Sequence, residues 1–275
     1  MDYLEPSSGN KRPALECGSV ELDSTFLADV ALEQRQLYGD GLRFHDLHLK
    51  KEGIANPRNW VFFSPLHHAC AGILTADLVN DARRGADVLV VGAGCGDIER
   101  YLINACSIDP KCLTAADIDL SSYPNDLGVR TVQFDMFDPW PVGDNRYRYI
   151  LIPEALGMAL LFHSKLIQHE PSMEQMPEML QIKFRIDQDG PRAVSNQELE
   201  QFMKWAYAPD SPAALAWSVI ERGVRHLAPG GELRINGHCL SGEEITSILV
   251  LADRHAAPVS RVSFGRHSII FQRES

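Results

Sequence analysis

Short apolar runs, each emptying into a turn or an acid, alternate along this chain with stretches of helical period. Ala86 to Val91 is an unbroken run that ends in Gly92-Ala93-Gly94-Cys95-Gly96-Asp97. Cys112–Ala116 ends in Asp117-Ile118-Asp119, Arg130–Phe134 in Asp135-Met136-Phe137-Asp138, and Tyr147–Ile152 in Pro153-Glu154. Leu227-Ala228-Pro229-Gly230-Gly231 is a helix stop and a turn leading into a fifth run that closes at Ile235. Continuous runs of this length read as strands buried on both faces, which is how parallel strands are placed. Val259–Phe264 and His267–Gln272, joined by Gly265-Arg266, read as a hairpin.

Helical spacing fills the intervals. Val20, Phe26, Leu27, Val30, Ala31 and Leu37 share a period over residues 19–38, with Asp23 or Ser24 as cap. Ser64-Pro65 supplies a cap and a first-turn proline for a helix running through Leu66–Arg83, and Ser211-Pro212 repeats the signal. Further helices are expected over Ile98–Cys106, Gly157–His169 and Asn196–Tyr207. The alternation predicts an α/β fold: a Rossmann-like, seven-stranded, mostly parallel sheet with an antiparallel last strand. It also divides the chain. Residues 1–18 read as a loose tail, 19–84 as an N-terminal helical cap, and 85–275 as the sheet domain. Residues 155–210, longer than a single crossover requires, form a helical insertion between the fourth and fifth strands.

The glycine turn is where chemistry enters. Glycines at alternate positions let the chain turn sharply and let a ligand approach main-chain N–H groups, and the helix that follows points its positive end at that ligand. The dinucleotide fingerprint would place its third glycine where Asp97 stands. An acid there repels a pyrophosphate and suits a ligand carrying an ammonium and a ribose, which disfavours a nicotinamide oxidoreductase. A tight turn without a ligand remains the plain alternative. Asp117, at the tip of the second strand, is placed to accept both ribose hydroxyls. Asp135, with Met136 and Phe137, can accept from an adenine amino group and pack on its ring.

This ordered set resembles the class I S-adenosylmethionine-dependent methyltransferases over roughly residues 84–154 and 211–273, including the Leu-x-Pro-Gly-Gly-x-Leu turn of Leu227 to Leu233. The resemblance implies S-adenosyl-L-methionine as cofactor. It implies contacts from Gly92, Ala93, Gly94, Gly96, Asp117, Ile118, Asp135, Met136, Phe137 and Pro153. It implies methyl transfer to an acceptor by in-line displacement, which needs positioning more than a fixed catalytic set. Where a proton must leave, the candidates are Glu154, at the mouth of the pocket, and His67 or His68, by intrinsic pKa. Each has a bland alternative, a helix cap for the acid and a surface or core position for the histidines. His163, His169, Trp205, Tyr207 and Trp217 could wall the acceptor site, although solvent-facing or core roles explain them more cheaply.

Charge and composition narrow the acceptor. The net charge of −11 over 275 residues, with no clustered basic run, argues against nucleic acid. A small-molecule acceptor is therefore expected, with no nucleic acid, no membrane and a homodimer as the possible assembly. Six cysteines without Cys-x-x-Cys spacing, no leader pattern and no long apolar span fit a cytoplasmic protein with reduced thiols. Asp144-Asn145 precedes the fourth strand, at the wrong end of the sheet for a metal, so no metal is expected. Two other outcomes stay open: transfer or cyclisation of the aminocarboxypropyl arm, releasing methylthioadenosine, and a cofactor-binding regulatory protein without turnover.

Overall fold

A computed structural model gathers the apolar runs into one sheet. It describes residues 16–38, 64–144, 146–153, 155–162, 185, 194–198, 212–236, 248, 258–265 and 268–275. In chain order the elements are β1 (Glu16–Ser19), α1 (Ser24–Tyr38), α2 (Pro65–Cys70), α3 (Ala76–Arg83), β2 (Val88–Val91), α4 (Asp97–Asn104), β3 (Leu113–Asp117) and β4 (Arg130–Gln133). They continue with β5 (Tyr147–Ile152), α5 (Ala155–Phe162), α6 (Pro212–His226), β6 (Leu227–Asn236), β7 (Val259–Phe264) and β8 (Ser268–Arg273).

The strand order is β1-β7-β8-β6-β5-β2-β3-β4. β2 pairs in parallel with both β3 and β5, so the order reverses at β2 and opens a crevice beyond the carboxyl ends of these strands. Only β8 runs against its neighbours β6 and β7. The Rossmann-like class is as expected, with one correction: the sheet has eight strands, not seven. The eighth is β1, parallel to β7, and it takes up residues 16–18 of the stretch read as a tail. Backbone pairing with an edge strand places it there, since Glu16-Cys17-Gly18-Ser19 carries no apolar alternation.

Alternation within the buried strands feeds two cores, one on each face. Leu89, Val91, Ile150, Ile152, Leu233 and Ile235 pack with Leu156, Trp217 and Ile220 beneath α5 and α6. Val88, Val90, Leu113, Ala115, Tyr149 and Leu151 pack with Val30, Leu78, Ile98 and Leu102 beneath α1 to α4. Trp217 thus takes the core role. Among the described residues, no helix is long and apolar enough to cross a membrane.

The helix expected over Leu66–Arg83 is two helices. Ser64 caps the first, accepting from the His67 N–H at 3.2 Å. The break follows at Gly72, whose φ of +80° is left-handed backbone that glycine adopts without penalty. Thr75 then caps the second helix through the Leu78 N–H. Arg234 on β6 fastens this break to the sheet. Its Nη1 donates to the Ile73 carbonyl (3.2 Å) and to the Thr75 hydroxyl (2.8 Å). Its Nε and Nη2 reach the Glu232 carboxylate at 2.9 and 2.6 Å, and its guanidinium lies 4.9 Å from the Tyr149 ring centroid. The Tyr149 hydroxyl donates to Asp81 on α3 at 2.7 Å. That bond, aided by Arg84 and Arg148, holds the Asp81 carboxyl below its usual range against partial burial.

Candidate functional site

The carboxyl ends of β2 and β3, beside the crevice, collect most of the residues singled out in the sequence. Parallel register sets Val91 beside Ala116, so the two strand tips end together. The N–H groups of Gly92 and Ala93 both donate to the Ala116 carbonyl, at 2.8 and 3.0 Å. Gly92, Gly94 and Gly96 all have positive φ, at 77°, 53° and 72°. This succession folds the turn flat against β3, and Gly96 opens α4, its carbonyl accepting from Arg100 N–H at 2.8 Å.

Asp117 faces the turn. One carboxylate oxygen accepts from the Gly94 N–H at 2.9 Å, and the other accepts from Asp119 N–H at 3.2 Å. Each oxygen still has a lone pair for a ligand hydroxyl. Ile118 beside it is 63% exposed, a large apolar side chain left uncovered at the strand tip. Its carbonyl is held by Gln133 Nε2 at 2.8 Å, which joins β3 to β4. The loop after β4 arrives alongside, with Phe134 N–H donating to the Asp117 carbonyl at 3.0 Å. There Asp135 accepts from Phe137 N–H at 2.9 Å. Trp140 Nε1 (3.0 Å) and Arg222 Nη1 (3.3 Å) both donate to the Met136 carbonyl, and Met136 and Phe137 are half-buried on the core. Pro153, buried at the end of β5, closes the other side of the crevice.

The base candidates are placed less fully. His67 and His68 sit on α2, which packs against α1 and α4. His68 is 3% exposed while His67 is half-buried, their ring centroids 5.7 Å apart at 70°. Glu154 lies outside the described residues, as do His163, His169, Trp205, Tyr207 and most of the 155–210 insertion.

Two groups at the site went unmarked in the sequence. Glu99, one turn into α4, is fully buried, and neither carboxyl oxygen finds a hydrogen-bond partner on another of the described residues. Burial is the main force on it, with the charges of Asp97 and Asp117 adding to it, and its pKa is pushed up to about 8. Tyr123, in the segment after β3, is 5% exposed and packs on Gly96. An acid in a first helical turn ordinarily answers the helix dipole at the surface. Only the fold shows that this one is buried.

A ligand meets an open face here. A Cβ built on Gly94 has nothing within 4 Å, while one on Gly92 would overlap the Ala155 Cβ and one on Gly96 would come 3.0 Å from the Tyr123 ring. The Asp117 carboxylate and an exposed isoleucine therefore border an accessible turn, with Glu99 buried behind it.

No protein-family model matches the chain, and no curated protein matches it. Solved structures do align with it. A protein named as a sarcosine dimethylglycine methyltransferase of Galdieria sulphuraria is 15% identical, with a TM-score of 0.33 over 65% of this chain; the chain spans about half of it, 48%. One named as an S-adenosyl-L-methionine-dependent methyltransferase of Methanococcus maripaludis is 13% identical, with a TM-score of 0.39 over 86% of this chain and 92% of that one. An amino pentose methyltransferase of Micromonospora echinaspora is 12% identical, with a TM-score of 0.37 over 72% and 89%. At such scores the likeness carries no weight for family or activity. The fold stands on its strand order, and the site on its own chemistry.

Proposed function

We propose that this chain is an S-adenosylmethionine-dependent methyltransferase of a small-molecule acceptor. The observation that carries the reading is the juxtaposition of Asp117, bridged to the Gly94 N–H at 2.9 Å, with the exposed Ile118 at the strand-order reversal. Asp117 offers acceptor positions to ribose hydroxyls. Ile118, Met136 and Phe137 offer apolar surface to an adenine ring, and Asp135 a carboxylate to its amino group. With the Asp117 carboxylate facing the turn, a pyrophosphate is repelled and a sulfonium with an ammonium is favoured.

The cofactor supplies an electrophilic methyl group on its sulfonium, and the protein's part is to align the acceptor with it and exclude water. The turn is itself held in place by the Gly92 and Ala93 N–H groups, which both donate to the Ala116 carbonyl. Residues 155–210 leave β5 at the crevice and are assigned to the acceptor. Proton removal, where the acceptor carries a proton, is assigned to Glu154, His67 or His68. The chain's net charge of −11 supports a small acceptor over a nucleic acid.

The test is incubation of the full chain with S-adenosylmethionine and a panel of small amines, hydroxyls and carboxylates, read by mass spectrometry. Release of S-adenosylhomocysteine with an acceptor 14 mass units heavier is expected. Methylthioadenosine would move the reaction to the other arm of the sulfonium, and binding without turnover across the panel would leave a cofactor-binding regulator.

A further inference from the structure

We infer that Glu99 makes the glycine-turn site a charge discriminator: its carboxyl, buried and without a hydrogen-bond partner on another described residue, gains a counter-charge from a cationic ligand and so favours a sulfonium over the neutral thioether left after transfer. The inference rests on the cofactor reading above and goes beyond it by naming the residue that separates cofactor from product.

The geometry carries it. Glu99 lies three residues after Gly96, the residue that turns the loop into α4. It is 0% exposed, with neither carboxyl oxygen bonded to another residue. A buried carboxylate without partners is costly, and the cheaper state is the neutral acid. The groups that face it deepen this preference. From its own helix comes Asp97, 9% exposed, and from the tip of β3 comes Asp117; both raise the Glu99 pKa. From the segment after β3 comes Tyr123, whose buried hydroxyl likewise has no partner and whose own ionisation Glu99 opposes. Arg100 follows in sequence and favours Tyr123 ionisation, but it is not among the groups acting on Glu99. No cation is among the groups acting on Glu99, and what favours its charged form is its own backbone N–H at the positive end of α4.

A net-positive ligand on this turn supplies the missing charge. The Glu99 carboxyl then loses its proton to bulk water, and the carboxylate attracts the ligand in return. A neutral thioether gives no such return. For a separation of about 10 Å and an effective dielectric of about 25–35, the pair is worth roughly a five- to tenfold gain in affinity.

The experiment is calorimetric titration of the full chain with S-adenosylmethionine and with S-adenosylhomocysteine, from about pH 6.5 to about pH 9, for the wild type and Glu99→Gln. The ligand's own amine titrates alike against both proteins, so the difference between proteins isolates Glu99. In the wild type the affinity ratio of sulfonium to thioether should climb about five- to tenfold as pH rises through Glu99's range, and in Glu99→Gln that climb should vanish. Repeated in buffers of different ionisation heat near neutral pH, wild-type binding should release more protons with the sulfonium than with the thioether. Equal pH trends in the two proteins, or equal proton release by the two ligands, overturns the inference while leaving the cofactor reading intact. Failure of the wild type to bind either ligand overturns both.

Stability gives a readout free of ligand. Glu99's folded pKa of about 8 stands above its ordinary 4.5, so the native state holds an extra proton between them and stability declines as pH rises through that window. Glu99→Gln should therefore gain on the wild type progressively across it. A constant difference between the two proteins would show that the carboxyl is not buried as described.

Discussion

Gly92 and Gly94 look interchangeable in the sequence and should fail in different ways. Both have left-handed φ, +77° and +53°, so alanine at either costs roughly 1–2 kcal/mol of backbone strain. At Gly94 strain is the cost to folding, because among the described residues a Cβ has nothing within 4 Å. At Gly92 the Cβ would overlap that of Ala155, the first residue of α5, whose Cα stands 3.6 Å away. Relieving the overlap moves either the turn or the end of β5, at about 1–3 kcal/mol for an overpacked site. Gly92→Ala should therefore lose roughly 2–5 kcal/mol in all, a large share of the 5–15 kcal/mol typical of a folded chain. Urea unfolding, compared at equal m-values, measures both. Binding should show the reverse order. Gly94→Val places a branched side chain on the open face and should weaken S-adenosylmethionine binding more than tenfold by calorimetry, with stability close to that of Gly94→Ala. Equal losses of stability for the two alanine variants would refute the packing of Ala155 over the turn. Unchanged binding by Gly94→Val would remove the turn from the ligand site.

Asp117→Ala should weaken S-adenosylhomocysteine binding by about 1.5–3 kcal/mol, the worth of hydrogen bonds to a charged group, and wild-type affinity by calorimetry would withdraw the ribose assignment. Tyr149→Phe removes the 2.7 Å donor to Asp81 and should cost about 0.5–1.5 kcal/mol of stability near neutral pH. Because the folded Asp81 pKa is depressed, that contribution is present above the ordinary 3.8 and fades as pH falls through the lower folded value. Acid unfolding curves of the two proteins should therefore converge, and a gap that persists at low pH would mean that the bond does not depend on an ionised carboxylate.

What could be read in advance follows from where each signal is stored. β2, β3, β5 and β6 were legible because burial on both faces demands uninterrupted apolar residues, and local sequence carries that demand. The placement of Asp117, Ile118 and Asp135 followed from their position after strand tips. β1 was not legible, because its reason for being a strand lies on β7. The break at Gly72 was hidden because a lone glycine within an apolar period is compatible with a continuous helix. What holds the break open is Arg234, which is 161 residues from Ile73. Glu99 escaped for a similar reason: its burial is a property of the fold, and an isolated acid at that helical position signals nothing unusual.

The sheet is finished by the first strand to be made and one of the last. Glu16 lies beside Arg261 and Ser19 beside Phe264, so β1 leaves the ribosome long before its partner exists. The crossovers from β2 to β6 can form as the chain lengthens, domain-like and local, while β1 waits as an unpaired edge. Its closure onto β7 carries the entropic cost of a loop of more than two hundred residues, as Glu16 beside Arg261 requires, and belongs late in folding. A chain halted before β7 could thus build the glycine turn and its neighbours and still present an open strand, the kind of edge by which newly made chains find one another.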